Sequence, residues 1–173
     1  MHETLVLVQL SASTSIRSEL RPGDLGAIAA LHGAEYSDGY GLDYRFEAYV
    51  ATSVAEFALV LAADPEAGRV WLAEDEAGLT GCIAVTRTTG THGRLRWFLV
   101  AGRARGQGLG RELLDAALAY ARDRFRTLEL ETFSELTAAA HLYRSAGFAL
   151  RDSAPRNDWG REVELQQYDL KLV

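Results

Sequence analysis

The hydrophobic period of the chain changes several times, and each change marks an element. Ile16 to Arg21 reads as a short strand, closed by Pro22-Gly23. Asp24 stands where an N-cap belongs, since its carboxylate can accept from the free amides of a first helical turn. Leu25, Ile28, Ala29, Leu31 and His32 follow at roughly helical spacing. Tyr36 to Asp43 is rich in Gly, Tyr and Asp and reads as a loop. Phe46 to Ala62 predicts a second helix, with Phe46, Val50, Val54, Phe57 and Leu61 on one face.

Beyond this point the pattern changes to short strands. Val70 to Glu74, Leu79 to Thr88 and Leu95 to Val100 are strands joined by turns at Asp75–Gly78 and Thr89–Gly93, which implies an antiparallel meander. Leu109, Leu113, Leu114, Ala117, Leu118, Ala121 and Phe125 form the apolar stripe of a third helix. Leu128 to Thr132 is a strand. Ser134 is the expected N-cap of a helix running to about Ser145, ended by Gly147 in a left-handed conformation. Phe148 to Arg151 resumes as a strand. In the last strand Val163 and Leu165, then Tyr168, Leu170 and Leu172, alternate with a slip at Gln166-Gln167 that predicts a bulge. The layout is mixed α/β, with one helical crossover after a glycine-rich stretch.

Composition narrows the classes. The 173 residues are 48% hydrophobic and 24% charged, the profile of a globular domain, and no linker or repeat divides residues 1–173. A net charge of -6 excludes a general nucleic-acid binder, which needs a basic face. Runs such as Phe57 to Ala63 are too short to span a bilayer, and Met1 to Leu10 lacks the features of a signal peptide. Residues 1–12 are expected to be a tail or an edge strand, and the chain is expected in the cytoplasm. Cys82 is the sole cysteine, so no internal disulfide forms and no metal site is expected.

The candidate chemistry lies at Arg105-Gly106-Gln107-Gly108-Leu109-Gly110-Arg111, between the strand ending Phe98-Leu99-Val100 and the third helix. Glycines let a backbone approach a phosphate, the helix start offers free amides and a positive dipole end, and Arg105 and Arg111 add donors. A P-loop needs Lys-Ser/Thr after its last glycine, and a dinucleotide fingerprint needs G-x-G-x-x-G; neither fits. The stretch resembles the acetyl-CoA motif of the GNAT (general N-acetyltransferase) superfamily, V-x-P-x-x-R-G-x-G-[IL]-G, with Gly102 in place of the proline. Leu142-Tyr143-Arg144-Ser145-Ala146-Gly147-Phe148 resembles the second GNAT signature, L-Y-x-x-x-G-F. The block around His32, Glu35-Tyr36, Tyr40 to Asp43 and Phe46-Glu47, with the ending from Asp158-Trp159-Gly160, is similar to a bacterial subgroup sometimes fused behind a MarR-type regulator.

The resemblance implies a GNAT-type α/β (α+β) fold. This is a twisted, mostly antiparallel sheet of about six to seven strands flanked by about four helices. Two adjacent parallel strands, Leu95 to Val100 and Leu128 to Thr132, would splay to admit the pantetheine arm. It implies acetyl-CoA as co-substrate without a metal, and direct transfer to a primary amine. A small-molecule acceptor leads, a protein or peptide amine is second, and a CoA-binding module without turnover is the rival. Backbone groups of Phe98, Leu99 and Val100 would hold the arm, and Arg105 to Arg111 the diphosphate. Leu136 occupies the position of a family asparagine, so Ser134 or Thr137 would supply that polar contact. Tyr143 either protonates the departing thiolate or only packs. The first strand of the pair lacks the carboxylate some relatives carry, which leaves Glu131 as the candidate base, ahead of Glu35, Asp43 and Glu47. His32 reads as a packed histidine before it reads as a base. Tyr36, Tyr40 and Phe46, with Trp159, are the candidate acceptor pocket. A homodimer is a family-based expectation.

Overall fold

The computed structural model describes residues 14–172; the expectation for residues 1–12 lies outside them. Seven strands form one sheet: β1 (Ser15–Arg17), β2 (Gly68–Asp75), β3 (Gly78–Thr89), β4 (His92–Val100), β5 (Thr127–Phe133), β6 (Ala149–Arg156) and β7 (Val163–Lys171). The helices are α1 (Asp24–Tyr40), α2 (Tyr44–Ala63), α3 (Leu109–Arg122) and α4 (Thr137–Ser145). Strand order is β1-β2-β3-β4-β5-β7-β6. Every neighbour is antiparallel except β4 and β5, whose connection through α3 makes them parallel.

Alternation along the strands builds two cores. Trp71, Ala73, Ile83, Val85, Leu128 and Leu130 face α3 and α4. Val70, Leu72, Cys82 and Ala84 face α1 and α2. This two-sided burial explains the slip in β7. Tyr168 and Leu170 belong to the first core, while Val163 and Leu165 belong to the second. The strand stays regular against β5, and the bulge expected at Gln166-Gln167 instead lies across from it on β6, between Leu150 and Asp152.

Other local expectations are corrected by packing. Tyr36 to Asp43 is mostly helix: α1 continues to Tyr40 and ends at Gly41, φ 67. Burying Tyr36 against Phe46 and Phe133 outweighs the poor helix propensity of the glycines there. Asp24 is not the N-cap, which is Gly23. Its carboxylate is gripped by Arg17 at 2.7 and 2.8 Å and accepts from the Arg21 amide. The same guanidinium reaches Glu74, so one arginine joins β1, α1 and β2 and holds the Asp24 carboxyl below its ordinary range. Ser134 is not an N-cap either: α4 starts at Thr137 after Leu136, with no side-chain cap. The Ser134 amide pairs with the Glu164 carbonyl instead.

Asp43 caps α2, accepting from the Arg45 amide. By length and composition α2 is long and apolar enough to cross a membrane, although no uninterrupted apolar run in it is. It lies on the sheet, with Phe46, Val50, Ser53, Val54 and Phe57 buried.

Candidate active site

The site forms where β4 and β5 part. Their parallel rungs run from His92–Thr127 to Leu95–Leu130 and then stop. The cause lies in β4: between Cys82 and Ala84 of β3 the register shifts, so that Arg96 to Leu99 oppose one residue fewer on the partner. Trp97 takes φ 48, the one described non-glycine residue with positive φ. A bulky residue held there signals a conformation imposed by its surroundings. Those surroundings are visible: the Trp97 indole donates to Ser53 Oγ at 3.2 Å, its carbonyl accepts from the Cys82 thiol, and its ring lies 5.5 Å from Phe57. The bulge bends β4 away from β5 and leaves its Arg96–Leu99 edge with no strand beside it on that side.

A cavity of about 760 Å³ occupies the fork. At one end is the glycine-rich turn. Gly106 (φ 76) and Gly108 (φ 84) are left-handed, and a side chain on either would meet nothing within 4 Å. Among the described residues, no N–H from Gly106 to Arg111 donates to a backbone carbonyl; the first in-helix bond is from Glu112 to the Gly108 carbonyl. Consecutive free amides at the start of the 14-residue α3 make an anion cradle. Gly110 has a different role. A Cβ there would come within 3.4–3.6 Å of Leu142, Phe98 and Val100, so α3 begins tightly packed on β4 and α4.

Arg105 departs from the expectation that its charge faces the anion. It donates to Glu35 at 2.6 Å and to the Val100 carbonyl at 3.0 Å. Glu35 also accepts from the Gly102 amide. Arg111 lines the cavity with no carboxylate partner among the described residues. Of the expected cofactor residues, Phe98, Leu99, Val100, Arg105, Gly106, Gly108, Leu109, Gly110 and Arg111 line the cavity. Gln107 and Ser134 do not, whereas Thr137 does. Glycine turn, free strand edge and uncommitted Arg111 together fit a diphosphate joined to an extended, amide-bearing arm.

Tyr143 also lines the cavity, against Phe98 and Phe148. Burial pushes its phenol well above the usual range. Gly147, φ 96, ends α4, and the Phe148 amide bonds the Tyr143 carbonyl, which fixes the tyrosine's backbone.

The other end is aromatic. Phe46 sits 4.5 Å from Tyr36 and 5.4 Å from Trp159 between ring centroids, with Phe133 and Tyr49 around it. The turn carrying Trp159 is pinned to the α1–α2 junction: the Asp43 amide donates to the Trp159 carbonyl, and Arg161 donates to the Tyr40 carbonyl and reaches Glu135 beyond β5. Tyr36, Tyr40 and Phe46 line the cavity, and so do Tyr49, Phe133, Arg94 and Arg96, which no motif marks.

The four candidate carboxylates separate cleanly. Glu35 is bound to the glycine turn, Asp43 to Arg45, and Glu47 lies against Gly33. Glu131 alone of the four lines the cavity, accepting from the Gln167 amide at 3.2 Å. His32 also lines it, but its Nδ1–H donates to the Ile28 carbonyl, and burial lowers its pKa to about 4.

Comparison with known proteins identifies the family and the fold. The model of the acetyltransferase (GNAT) family matches residues 28–148. An acetyltransferase of the GNAT family from Staphylococcus aureus superposes with a TM-score of 0.73 at 17% identity, covering 93% of this chain and 100% of that one. A Salmonella typhimurium structure with its cofactor acetyl-CoA gives 0.69 at 20% identity, covering 94% and 95%. Spermidine N-acetyltransferase from Vibrio cholerae, solved with CoA and spermine, gives 0.66 at 21%, covering 92% and 95%.

Proposed function

Because the chain belongs to the GNAT acetyltransferase family, we propose that it is an acetyl-CoA-dependent N-acetyltransferase acting by direct transfer on a primary amine of a small molecule. The observation that carries this reading is the continuity of one cavity. It runs from the free amides at 106–111, past Tyr143, to an aromatic end that holds Glu131.

The amides and Arg111 grip the diphosphate of acetyl-CoA. The free edge of β4 pairs with the amides of its arm, as a sheet edge captures an extended strand. This lays the thioester in the fork, with its carbonyl beside the β4 backbone, whose N–H groups stabilise the oxyanion formed when the amine attacks. Glu131 accepts the proton of the incoming amine, directly or through water. Tyr143, protonated at any working pH because of its burial, donates to the departing thiolate. The aromatic end binds the body of the acceptor. In a protein that carries spermine in the corresponding structure the acceptor is a small polyamine, and a concave, aromatic-lined cavity suits a small molecule here too.

The test is CoA release with acetyl-CoA and a panel of small amines. Steady release with at least one amine, matched by formation of the N-acetyl product, supports the reading. Tight acetyl-CoA binding without turnover on any amine or peptide amine favours the module that binds CoA without transferring its acetyl group.

A further inference from the structure

On the sheet face covered by α1 and α2, β4 carries Arg94 and Arg96, opposite in direction to Leu95 of the other core. On the same face β5 carries Glu129 and Glu131, flanking Leu130. The first cross-strand couple is closed: Arg94 pairs in register with Glu129, and its Nε donates to the carboxylate at 2.7 Å. A ladder continued by two residues would set Arg96 against Glu131 in the same way. Pairing ends at Leu95–Leu130, so these two are the first residues beyond the fork, one on each side. No ion pair joins them.

Arg96 is held without being neutralised. Its guanidinium lies 4.4 Å over the Trp97 ring, and among the described residues it has no carboxylate partner. It also borders a small groove with Arg45, Tyr49, Thr52 and Glu56. Arg45 is taken by Asp43, and Glu56 forms no ion pair with Arg96. Among the described residues Glu131 accepts only from the Gln167 side-chain amide, with Arg156 close enough to feel its charge. Four arginines line the main cavity. Arg94 and Arg105 are matched by Glu129 and Glu35, whereas Arg111 and Arg96 have no acidic partner among the described residues. Arg111 stands at the diphosphate end. Arg96 stands at the acceptor end, where acetyl-CoA supplies no anion.

We infer that Arg96 binds a carboxylate on the acceptor, so that the opened Arg96–Glu131 couple selects a zwitterion: a small primary amine that also bears an acid group, its nitrogen on the Glu131 side. This rests on the reading of the cavity as an acetyl-transfer site. A guanidinium offers paired donors in the geometry of a carboxylate. The same positive charge disfavours a purely cationic polyamine. The aromatic cluster takes the apolar side chain that branches from such an acceptor.

The test uses matched acceptors: L-leucine with L-leucinamide, L-phenylalanine with L-phenylalaninamide, and spermidine as a cation without an acid. The quantity read is the kcat/KM ratio of acid to amide, compared between wild type and Arg96→Gln, so that intrinsic amine basicity cancels. The expected result is a ratio about tenfold or more lower in Arg96→Gln, an unchanged KM for acetyl-CoA, and partial recovery in Arg96→Lys. A ratio that Arg96→Gln leaves unchanged, or a wild-type preference for spermidine, overturns the inference and leaves acetyl transfer standing. If none of these amines is acetylated, thermal stabilisation in the presence of CoA decides. Stabilisation by the acids that is lost in Arg96→Gln supports the inference, and equal shifts in both proteins overturn it. Failure to bind acetyl-CoA is a separate result and overturns the transfer reading itself.

Discussion

Glu35, in the middle of α1, clamps Arg105 of the glycine-rich turn 70 residues away, and the same carboxylate accepts the Gly102 amide at 2.9 Å. One side chain thus fastens both ends of the turn's approach to a helix on the acceptor side of the sheet. Removing it should loosen the cradle without touching the acetyl group. The Arg105 guanidinium is half exposed, so solvent screening limits the loss to about 1 kcal/mol, or roughly fivefold. Glu35→Ala is expected to raise the acetyl-CoA Kd by about that factor, with kcat at saturation little changed. Isothermal titration and steady-state kinetics check both halves; a kcat collapse with unaltered Kd would instead make Glu35 part of the chemistry.

Gly108 gives a sharper case. Its φ of 84 strains any L side chain, yet a Cβ there meets no atom within 4 Å. The stability cost of Gly108→Ala is therefore conformational alone, about 1–2 kcal/mol, which for a chain of this length lowers Tm by about 2–8 °C. The larger effect should fall on binding, because the methyl group would project from the amide run proposed to meet the diphosphate. Acetyl-CoA affinity is expected to fall more than tenfold, measured by titration well below Tm. Wild-type affinity in Gly108→Ala would move the diphosphate away from this turn.

For Tyr143 the prediction concerns rate. With the phenol raised well above its ordinary pKa, no alkaline limb below pH 10 should come from it. Tyr143→Phe keeps the ring against Phe98 and Phe148, so Tm and acetyl-CoA affinity should hold. Turnover should drop about tenfold or more if proton donation to the thiolate is its work. Single-turnover kinetics of thiol release, run across pH, make the measurement, and an unchanged rate assigns the residue to packing.

His32 predicts a pH dependence of stability. It is neutral in the fold, with a pKa lowered from 6.5 to about 4 by burial. In the unfolded chain it binds a proton below pH 6.5, while the native state does not until about pH 4. Stability therefore falls as pH drops through that window, by about 3 kcal/mol in total. Asp24 and Glu74 are lowered by Arg17, so their contributions are lost only below their ordinary values of 3.8 and 4.5. Urea denaturation between pH 7 and 5 should show the slope in wild type and a much flatter line in His32→Leu. Parallel lines would place the titration elsewhere.

Elements whose signal is local were legible from residues alone. The stripe of α3, the meander β2–β4 and the left-handed Gly147 needed only spacing and a glycine. The end of α1 was not, because Gly33 and Gly39 speak against helix, and the reasons for it, Tyr36 in an aromatic cluster and Glu47 packed on Gly33, come from other segments. The alternation slip in β7 was visible but misread, since a strand that changes which core it feeds looks like one with an extra residue. The fork was expected through family resemblance, yet its origin in the Trp97 backbone left no mark in the pattern. Glu35 stood out only as a lesser candidate base, not as a strap, and Arg96 was unmarked. The first acts through a contact between distant segments, and the second gains its meaning only from a rung that is missing.

The two-sided core has a consequence for how such a protein diversifies. On the proposed reading, the turn that grips the carrier is built on α3 and packed with α4, while the wall that meets the incoming molecule is built from α1, α2 and the Trp159 turn on the opposite side of the sheet. On that reading, substitutions that reshape the wall should leave the grip intact, apart from those at Glu35, which ties α1 to the turn. A lineage can exchange one customer for another residue by residue, with the acyl donor held constant throughout.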